Sequence, residues 1–295
     1  MLRKTERLII MKTAIVVNLS KTQAVTCARE IAILMLSKNA EVSMLSECKP
    51  FFKGIQISYF DTIEELIDNG DIAITVGGDG TIIHAAKYSA RFDKPLIGVN
   101  VGRLGFAADV EVNEIESLTA LLEGDYYTEN RILLDIEVVK NGNSKHYLAV
   151  NDAIIARGQL SKIIDLNLFL DGEKISKFRA DGLLFSTPTG STAYSLSAGG
   201  PILAPQMDCI LMTPVCPHSL FSRSVLFSGA SELSVETHIP SECCCVLTID
   251  GEKNIDILAE DKVFIRKSDV TLKLLSLHKR NFYKRLNKKL KERGF

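Results

Sequence analysis

Ile72-Ala73-Ile74-Thr75-Val76-Gly77-Gly78-Asp79-Gly80-Thr81-Ile82-Ile83-His84 is the stretch that decides the fold. Ile72–Val76 is almost continuously apolar, as expected of a strand covered on both faces of a parallel sheet. Ile82–Ser89 has helical patterning, so the chain passes from strand to helix through a glycine-rich turn. Glycines allow close approach to the backbone, and a helix N-terminus favours negative charge, so the turn reads as a phosphate or nucleotide cradle. Asp79 stands inside it, where a carboxylate repels a bare phosphate. It must then hold a cation, accept a proton or hydrogen-bond a hydroxyl, roles that belong together in phosphoryl transfer. The plainer alternative is that Asp79 caps the helix.

The same alternation flanks this stretch: a strand over Ala14–Asn18, a helix over Ala24–Ser37 and a strand over Leu96–Asn100. This implies a Rossmann-like α/β domain with a parallel sheet, whose ligands lie beyond the carboxyl ends of the strands, where Gly77 and Asn100 fall. The first turn, Asn18–Thr22, lacks Gly-x-Gly-x-x-Gly, which argues against an NAD-dependent dehydrogenase. Asn100-Val101-Gly102-Arg103-Leu104-Gly105-Phe106 is either a tight path beside the site, with Phe106 closing over a ligand, or an ordinary strand-to-loop turn.

After Glu129 the period becomes two: Leu134, Ile136 and Val138 alternate with polar residues, then Ile164, Leu166, Leu168 and Leu170. Asn141-Gly142 and Asp171-Gly172 supply hairpin chemistry, and further strands are expected at Ser224–Phe227, Cys245–Ile249 and Val263–Arg266. The organisation expected is an α/β domain over 1–129, a β-rich, β-sandwich-like domain over 130–270, and a basic terminal helix over 271–295. Phe282, Leu286 and Leu290 would dock that helix on the body, with a membrane, nucleic-acid or subunit contact the lesser alternative. Residues 1–10 read as an extension, since Met11 would itself make a sensible start. No low-complexity linker separates the halves, so packed domains with a cleft are expected.

The 295 residues carry a net charge of -1 and 46% hydrophobic residues, with no apolar run approaching a membrane span. Neither nucleic acid nor membrane is implied as a partner. Seven cysteines without a Cys-x-x-Cys pair suggest buried thiols in a reducing, cytoplasmic setting. Adjacent strand residues in Cys243-Cys244-Cys245 face opposite sides and cannot enclose one metal.

Three further motifs carry chemistry. Thr187-Pro188-Thr189-Gly190-Ser191-Thr192-Ala193-Tyr194 offers small residues, hydroxyls and one aromatic, suited to holding a nucleoside closely. Asn151-Asp152, read as the end of a strand, is either a grip for a ribose diol or a turn. Arg179-Ala180-Asp181-Gly182 is a hairpin edge or a charged pair facing the cleft.

The continuous segment Asp181–Pro201, together with Gly77–Gly80, Asn151-Asp152 and Pro217-His218-Ser219-Leu220, closely resembles the NAD kinase family over about residues 13–275. The resemblance implies transfer of the γ-phosphoryl group of ATP, or of polyphosphate, to the 2′-hydroxyl of the adenosine ribose of NAD. It implies Mg²⁺ or another divalent metal brought mainly by the ATP phosphates, and a homodimer or homotetramer. Asp79 becomes the proton acceptor and Gly80 a backbone contact to phosphate. Asn151 and Asp152 take the NAD sugar and base; Thr192, Ala193, Tyr194, Ser195, Leu196 and Ser197 surround the nucleoside, with Tyr194 as a stacking face. His84, Lys162, Arg179, Asp181 and Glu252 are further matching positions, with a solvated surface residue the alternative for His84 and Glu252. Two positions depart from the family pattern: Asp152 replaces the commoner Glu, and Ala107 the commoner Leu. The competing readings are a lipid kinase, which shares Gly-Gly-Asp-Gly, and a non-catalytic NAD(P) sensor. Retention of Asp79 argues against the sensor, because a pure binding site gains by losing a repulsive carboxylate.

Overall fold

The apolar runs of the N-terminal third form parallel strands in the computed structural model, which describes residues 10–102, 105, 108–158, 163–219, 222–238, 245–279, 282–284 and 286–287. The chain divides into two compact units. One runs up to Glu129 and resumes at Leu272; the other is Asn130–Thr271.

The first unit contains β1 (Lys12–Val17), β2 (Glu41–Leu45), β3 (Ser58–Phe60), β4 (Ile72–Gly77), β5 (Leu96–Asn100) and β6 (Val110–Glu111). Their pairings are all parallel, in the order β6-β5-β4-β1-β2-β3. The order reverses at β1, which pairs with β2 on one side and β4 on the other. β4 is buried throughout, as its unbroken apolar run requires.

Helix α1 (Thr22–Ser37) lays Cys27, Ile31 and Met35 against Ile15, Val17, Ile74 and Val76. Helix α2 (Ile63–Asn69) starts at the N-cap Thr62, whose hydroxyl accepts the Glu65 N–H, and packs against α3 (Asp79–Arg91). The sequence expectation had no β2, β3 or α2. These elements are short, and β2 carries Glu41 and Ser43 among its five residues, so no periodicity stands out over their length.

The second unit is a two-sheet β structure. One sheet is antiparallel in the order β14-β13-β12-β9-β16-β17, comprising β9 (Asp152–Arg157), β12 (Gly182–Ser186), β13 (Cys209–Val215), β14 (Val225–Ser228), β16 (Cys245–Ile249) and β17 (Lys253–Ile257). The other joins β10 (Ile164–Leu170), β11 (Glu173–Ala180), β15 (Leu233–His238) and β18 (Lys262–Ser276), with the hairpin of β7 (Tyr127–Lys140) and β8 (Asn143–Ala149) beside β18. Inward residues of both sheets, among them Ile155, Phe185 and Leu247 from the first and Ile136, Leu166 and Ile265 from the second, share one core.

Asn141-Gly142, Asp171-Gly172 and Asp250-Gly251 each adopt positive φ at both residues, the conformation that closes two-residue hairpins. Strand β18 is far longer than the four residues expected and reaches Ser276, so the terminal helix begins later than residue 271. Residues 282–284 and 286–287 are helical and Leu286 is buried. Leu290, Cys243, Cys244 and residues 1–9 lie outside the described residues.

Candidate functional site

In the first unit the candidate site gathers at the carboxyl ends of β4 and β5. Gly78 is the N-cap of α3 and Asp79 its first residue. The N-cap position that the capping alternative would give to Asp79 belongs instead to Gly78. The first N–H groups of a helix have no intrahelical acceptor, and here they open beside the glycines at the strand ends.

Asp79 is half-buried and Gly80 exposed. The Asp79 carboxylate lies directly over Gly105: a Cβ at that glycine would fall 1.7 Å from Oδ1. Gly105 is thus required for the carboxylate to sit where it does, a tighter constraint than the sequence suggested. His84 is exposed one turn further along α3, its ring edge-on to Tyr88 at 5.5 Å. Phe106 and Ala107 lie outside the described residues.

In the second unit three segments distant in sequence converge. Asn151 and Asp152 do not end a strand; β8 stops at Ala149 and Asp152 opens β9. The link between them is held by Asp250, whose carboxylate accepts the N–H groups of Val150, Asn151 and Asp152 at 3.0, 2.7 and 3.1 Å. The Asp250 N–H returns a bond to the Asp152 carbonyl at 2.9 Å. Asp250 therefore has two functions, hairpin residue and clamp. Its identity as a turn residue was legible in the sequence; its role as a clamp was not, because nothing local links positions a hundred residues apart.

The Thr187–Tyr194 segment closes on the same link. Thr187 donates its N–H to the Asn151 carbonyl and its hydroxyl to the Val150 carbonyl, at 2.9 and 2.7 Å. Gly190 donates to the Thr187 hydroxyl at 3.0 Å. A Cβ on Gly190 would lie 2.0 Å from the Asn151 carbonyl oxygen, so only glycine fits. The Tyr194 N–H donates to the Asp152 carboxyl.

Asp152 is buried beside the negative charge of Asp250, and its carboxyl is pushed up to about 7. Burial is the larger cause and the Asp250 charge the second; the Tyr194 N–H works in the opposite direction. Tyr194 itself is 47% exposed. Thr192, Ala193 and Leu196 are half-buried around it and Ser197 is exposed.

Ser195 turns inward: it is fully buried and shares a hydrogen bond with the Thr213 hydroxyl at 3.2 Å. Asp181 pairs with Arg157 at 2.8 Å rather than forming a charged pair with Arg179, which is exposed on β11 opposite Asp165. Adjacent residues on a strand point to opposite faces, but Asp181 stands past the end of β11, where the chain turns into β12. Glu252 is exposed just past the Asp250-Gly251 turn, and Lys162 lies outside the described residues. Among the described residues no group of three or more His, Cys, Asp or Glu is placed to hold a metal ion, and no helix is long and apolar enough to cross a membrane.

Family profiles match both parts of the chain: an ATP-NAD kinase N-terminal domain over residues 13–126 and an ATP-NAD kinase C-terminal domain over 150–277. An NAD kinase of Thermoanaerobacter sp. is 34% identical, over 96% of this chain and 99% of that one. Yeast NADH kinase, solved in complex with NADH, superimposes with a TM-score of 0.88 over 97% of this chain and 89% of its own. An NAD kinase from Archaeoglobus fulgidus, solved in complex with ATP, gives 0.71 over 95% and 99%. Both structures are 24% identical to this chain and speak for the fold alone. With both domains matched in order and a relative aligned along nearly its whole length, the chain belongs to the NAD kinase family.

Proposed function

We infer that the protein transfers the γ-phosphoryl group of ATP to the 2′-hydroxyl of the adenosine ribose of NAD⁺, giving NADP⁺ and ADP. The observation that carries this reading is the match to both ATP-NAD kinase domains, with Asp79 kept at the first position of α3. A neutral ribose hydroxyl is a poor nucleophile. Asp79 accepts its proton as the new O–P bond forms and the bond from the γ-phosphorus to the bridging oxygen breaks, leaving ADP. Gly80 contacts phosphate through its N–H.

Asn151, Asp152 and the face of Tyr194 hold the nucleoside, with Thr192, Ala193, Leu196 and Ser197 around it. The buried carboxyl of Asp152, pushed up to about 7, both donates and accepts in its protonated form, which suits a hydroxyl or an adenine edge. His84, Lys162, Arg179, Asp181 and Glu252 are assigned to the periphery of the substrate; Ser195, committed to Thr213, supports the Tyr194 turn from beneath. A divalent cation, Mg²⁺ foremost, enters with the triphosphate and offsets its charge. ATP is the donor assigned, with polyphosphate the other family possibility.

A homo-oligomer joined through the β-rich units and a cytoplasmic setting complete the proposal. For the setting, the free thiols at Cys27, Cys48, Cys209 and Cys216 are the supporting observation. The test is incubation of the purified protein with NAD⁺, Mg²⁺ and ATP, followed by an NADP-specific cycling assay, with Asp79→Asn as control. NADP⁺ from the unaltered protein alone is the result expected. Saturable NAD binding without product, with either ATP or polyphosphate, overturns the reading in favour of a sensor.

A further inference from the structure

In a doubly wound sheet the strand order reverses at one place, and loops leaving neighbouring strands in opposite directions open a crevice there. Here that place is between β1 and β4, so the loops that follow them, Asn18–Lys21 and Gly77-Gly78, line it. Lys21 is the N-cap of α1, and its ammonium reaches across to the far side of the β4 loop. It donates to the Val101 carbonyl beyond β5 at 3.1 Å. The Nζ atom stands 3.5 Å from where a Cβ on Gly78 would be and 3.6 Å from the same point on Gly102. The cation therefore lies over two residues that leave the space in front of it open.

An ammonium has three donors, and a single carbonyl uses one. Among the described residues no carboxylate pairs with Lys21, although the chain carries 36 acidic residues. The neighbouring side chain is also incomplete. Asn100, opposite Gly77 in the β4–β5 register and only 5% exposed, donates its Nδ2 to the Gly102 carbonyl at 3.1 Å. Its Oδ1 is buried and has no donor among the described residues. Exchanging the amide oxygen and nitrogen would set two oxygens against each other at Gly102, so the orientation is fixed by that bond. Buried polar atoms are rarely left unpaired unless something else completes them. The crevice thus offers a cation for phosphate oxygens and an acceptor for a donor group, and a nucleotide with its hydroxyls carries both.

We propose that Lys21 binds a phosphate of a nucleotide seated at the β1/β4 crevice, as a residue of the substrate site in addition to those assigned above. The inference rests on the kinase reading only for the identity of the nucleotide: the phosphate chain belongs to ATP or to the pyrophosphate of NAD, and both present the same chemistry to an ammonium. It also accounts for the missing glycine fingerprint in the first turn. A lysine reaching over from that turn supplies positive charge where a dinucleotide fold would otherwise use bare backbone.

Calorimetric titration of the full-length protein with adenosine, ADP and NAD tests it, in the unaltered protein and in Lys21→Met and Lys21→Arg. Methionine keeps the length and apolar stem and removes the charge. Its expected effect is weaker binding of ADP, of NAD or of both by about tenfold or more, with adenosine unchanged and arginine restoring most of the affinity. Loss confined to ADP assigns the donor; loss confined to NAD assigns the acceptor. Unchanged ADP and NAD affinity overturns the proposal, as does an equal loss for adenosine, which would mark Lys21 as a brace for Val101. Absence of ADP and NAD binding in the unaltered protein overturns it too. NADP⁺ formation is scored separately, so the two readings fail separately. Lys21-dependent binding without product ends the kinase reading alone, and product formation with Lys21→Met indistinguishable in binding and KM ends this one alone.

Discussion

In the first unit the residues assigned to the chemistry are consecutive: Gly77, Gly78, Asp79 and Gly80 follow one strand and open one helix. In the second unit the corresponding place is assembled from Val150–Asp152, Thr187–Tyr194 and Asp250, and a carboxylate a hundred residues away holds the first of these in shape. A local motif takes its path from its own backbone, with Gly105 an outside constraint on Asp79 alone. An assembled one depends on each tie between its segments, so its geometry and the stability of its unit are hard to separate. The comparison teaches where to expect pure losses of turnover and where to expect mixed losses of folding and binding.

The largest effect is expected at the local motif. Asp79→Asn should keep the thermal midpoint and NAD affinity while kcat falls by about 10²–10⁴; stopped assays with calorimetry check it, and undiminished turnover removes the proton acceptor. Next comes Gly105→Ala, whose Cβ would lie 1.7 Å from Oδ1 of Asp79. Displacing that carboxylate by about an ångström should cost about 10² in kcat, with KM for NAD nearly unchanged. A rise in KM without loss of kcat would show that Gly105 does not place Asp79.

The assembled motif should behave differently. Asp250→Ala leaves the N–H groups of Val150, Asn151 and Asp152 without their acceptor, and should cost about 3 kcal/mol of stability together with a raised KM for NAD. Denaturant titration beside steady-state kinetics reads both, and a raised KM at full stability would break the contrast between the two regions.

The smallest effect sharpens it through pH. The Asp152 carboxyl stays neutral in the folded protein up to about pH 7, whereas in the unfolded chain it ionises near 4. The folded state then holds a proton that the unfolded state has lost, so stability should fall as pH rises from about 4 to about 7 and level off above. The full span is on the order of 4 kcal/mol, but it is spread over about three pH units, so each unit changes stability by only about 1.4 kcal/mol. Asp152→Asn should flatten that decline, and melting curves that fall as steeply between pH 5 and 8 as those of the unaltered protein would show that Asp152 is ionised throughout.

Legible along the chain were the alternation of buried strands and helices before Glu129, the period-two pattern after it, and the glycine-rich strand-to-helix turn at Gly77–Gly80. These are legible because they are local: a strand covered on both faces must be apolar throughout, one covered on a single face must alternate, and a hairpin with positive φ at both turn residues selects Asn-Gly or Asp-Gly. The family resemblance was legible for the same reason, since its longest motif, Asp181–Pro201, is continuous. The contacts of the polar residues in those motifs come from the folded arrangement. It put Ser195 inward onto Thr213, paired Asp181 with Arg157, made Asp152 the first residue of a strand, and made Asp250 the clamp that holds it. It also brought Lys21 over Gly78 and Gly102. None of these contacts has a local signal, because each joins residues whose separation along the chain is unrelated to their separation in space. The burial that raises the Asp152 carboxyl follows from that spatial arrangement alone.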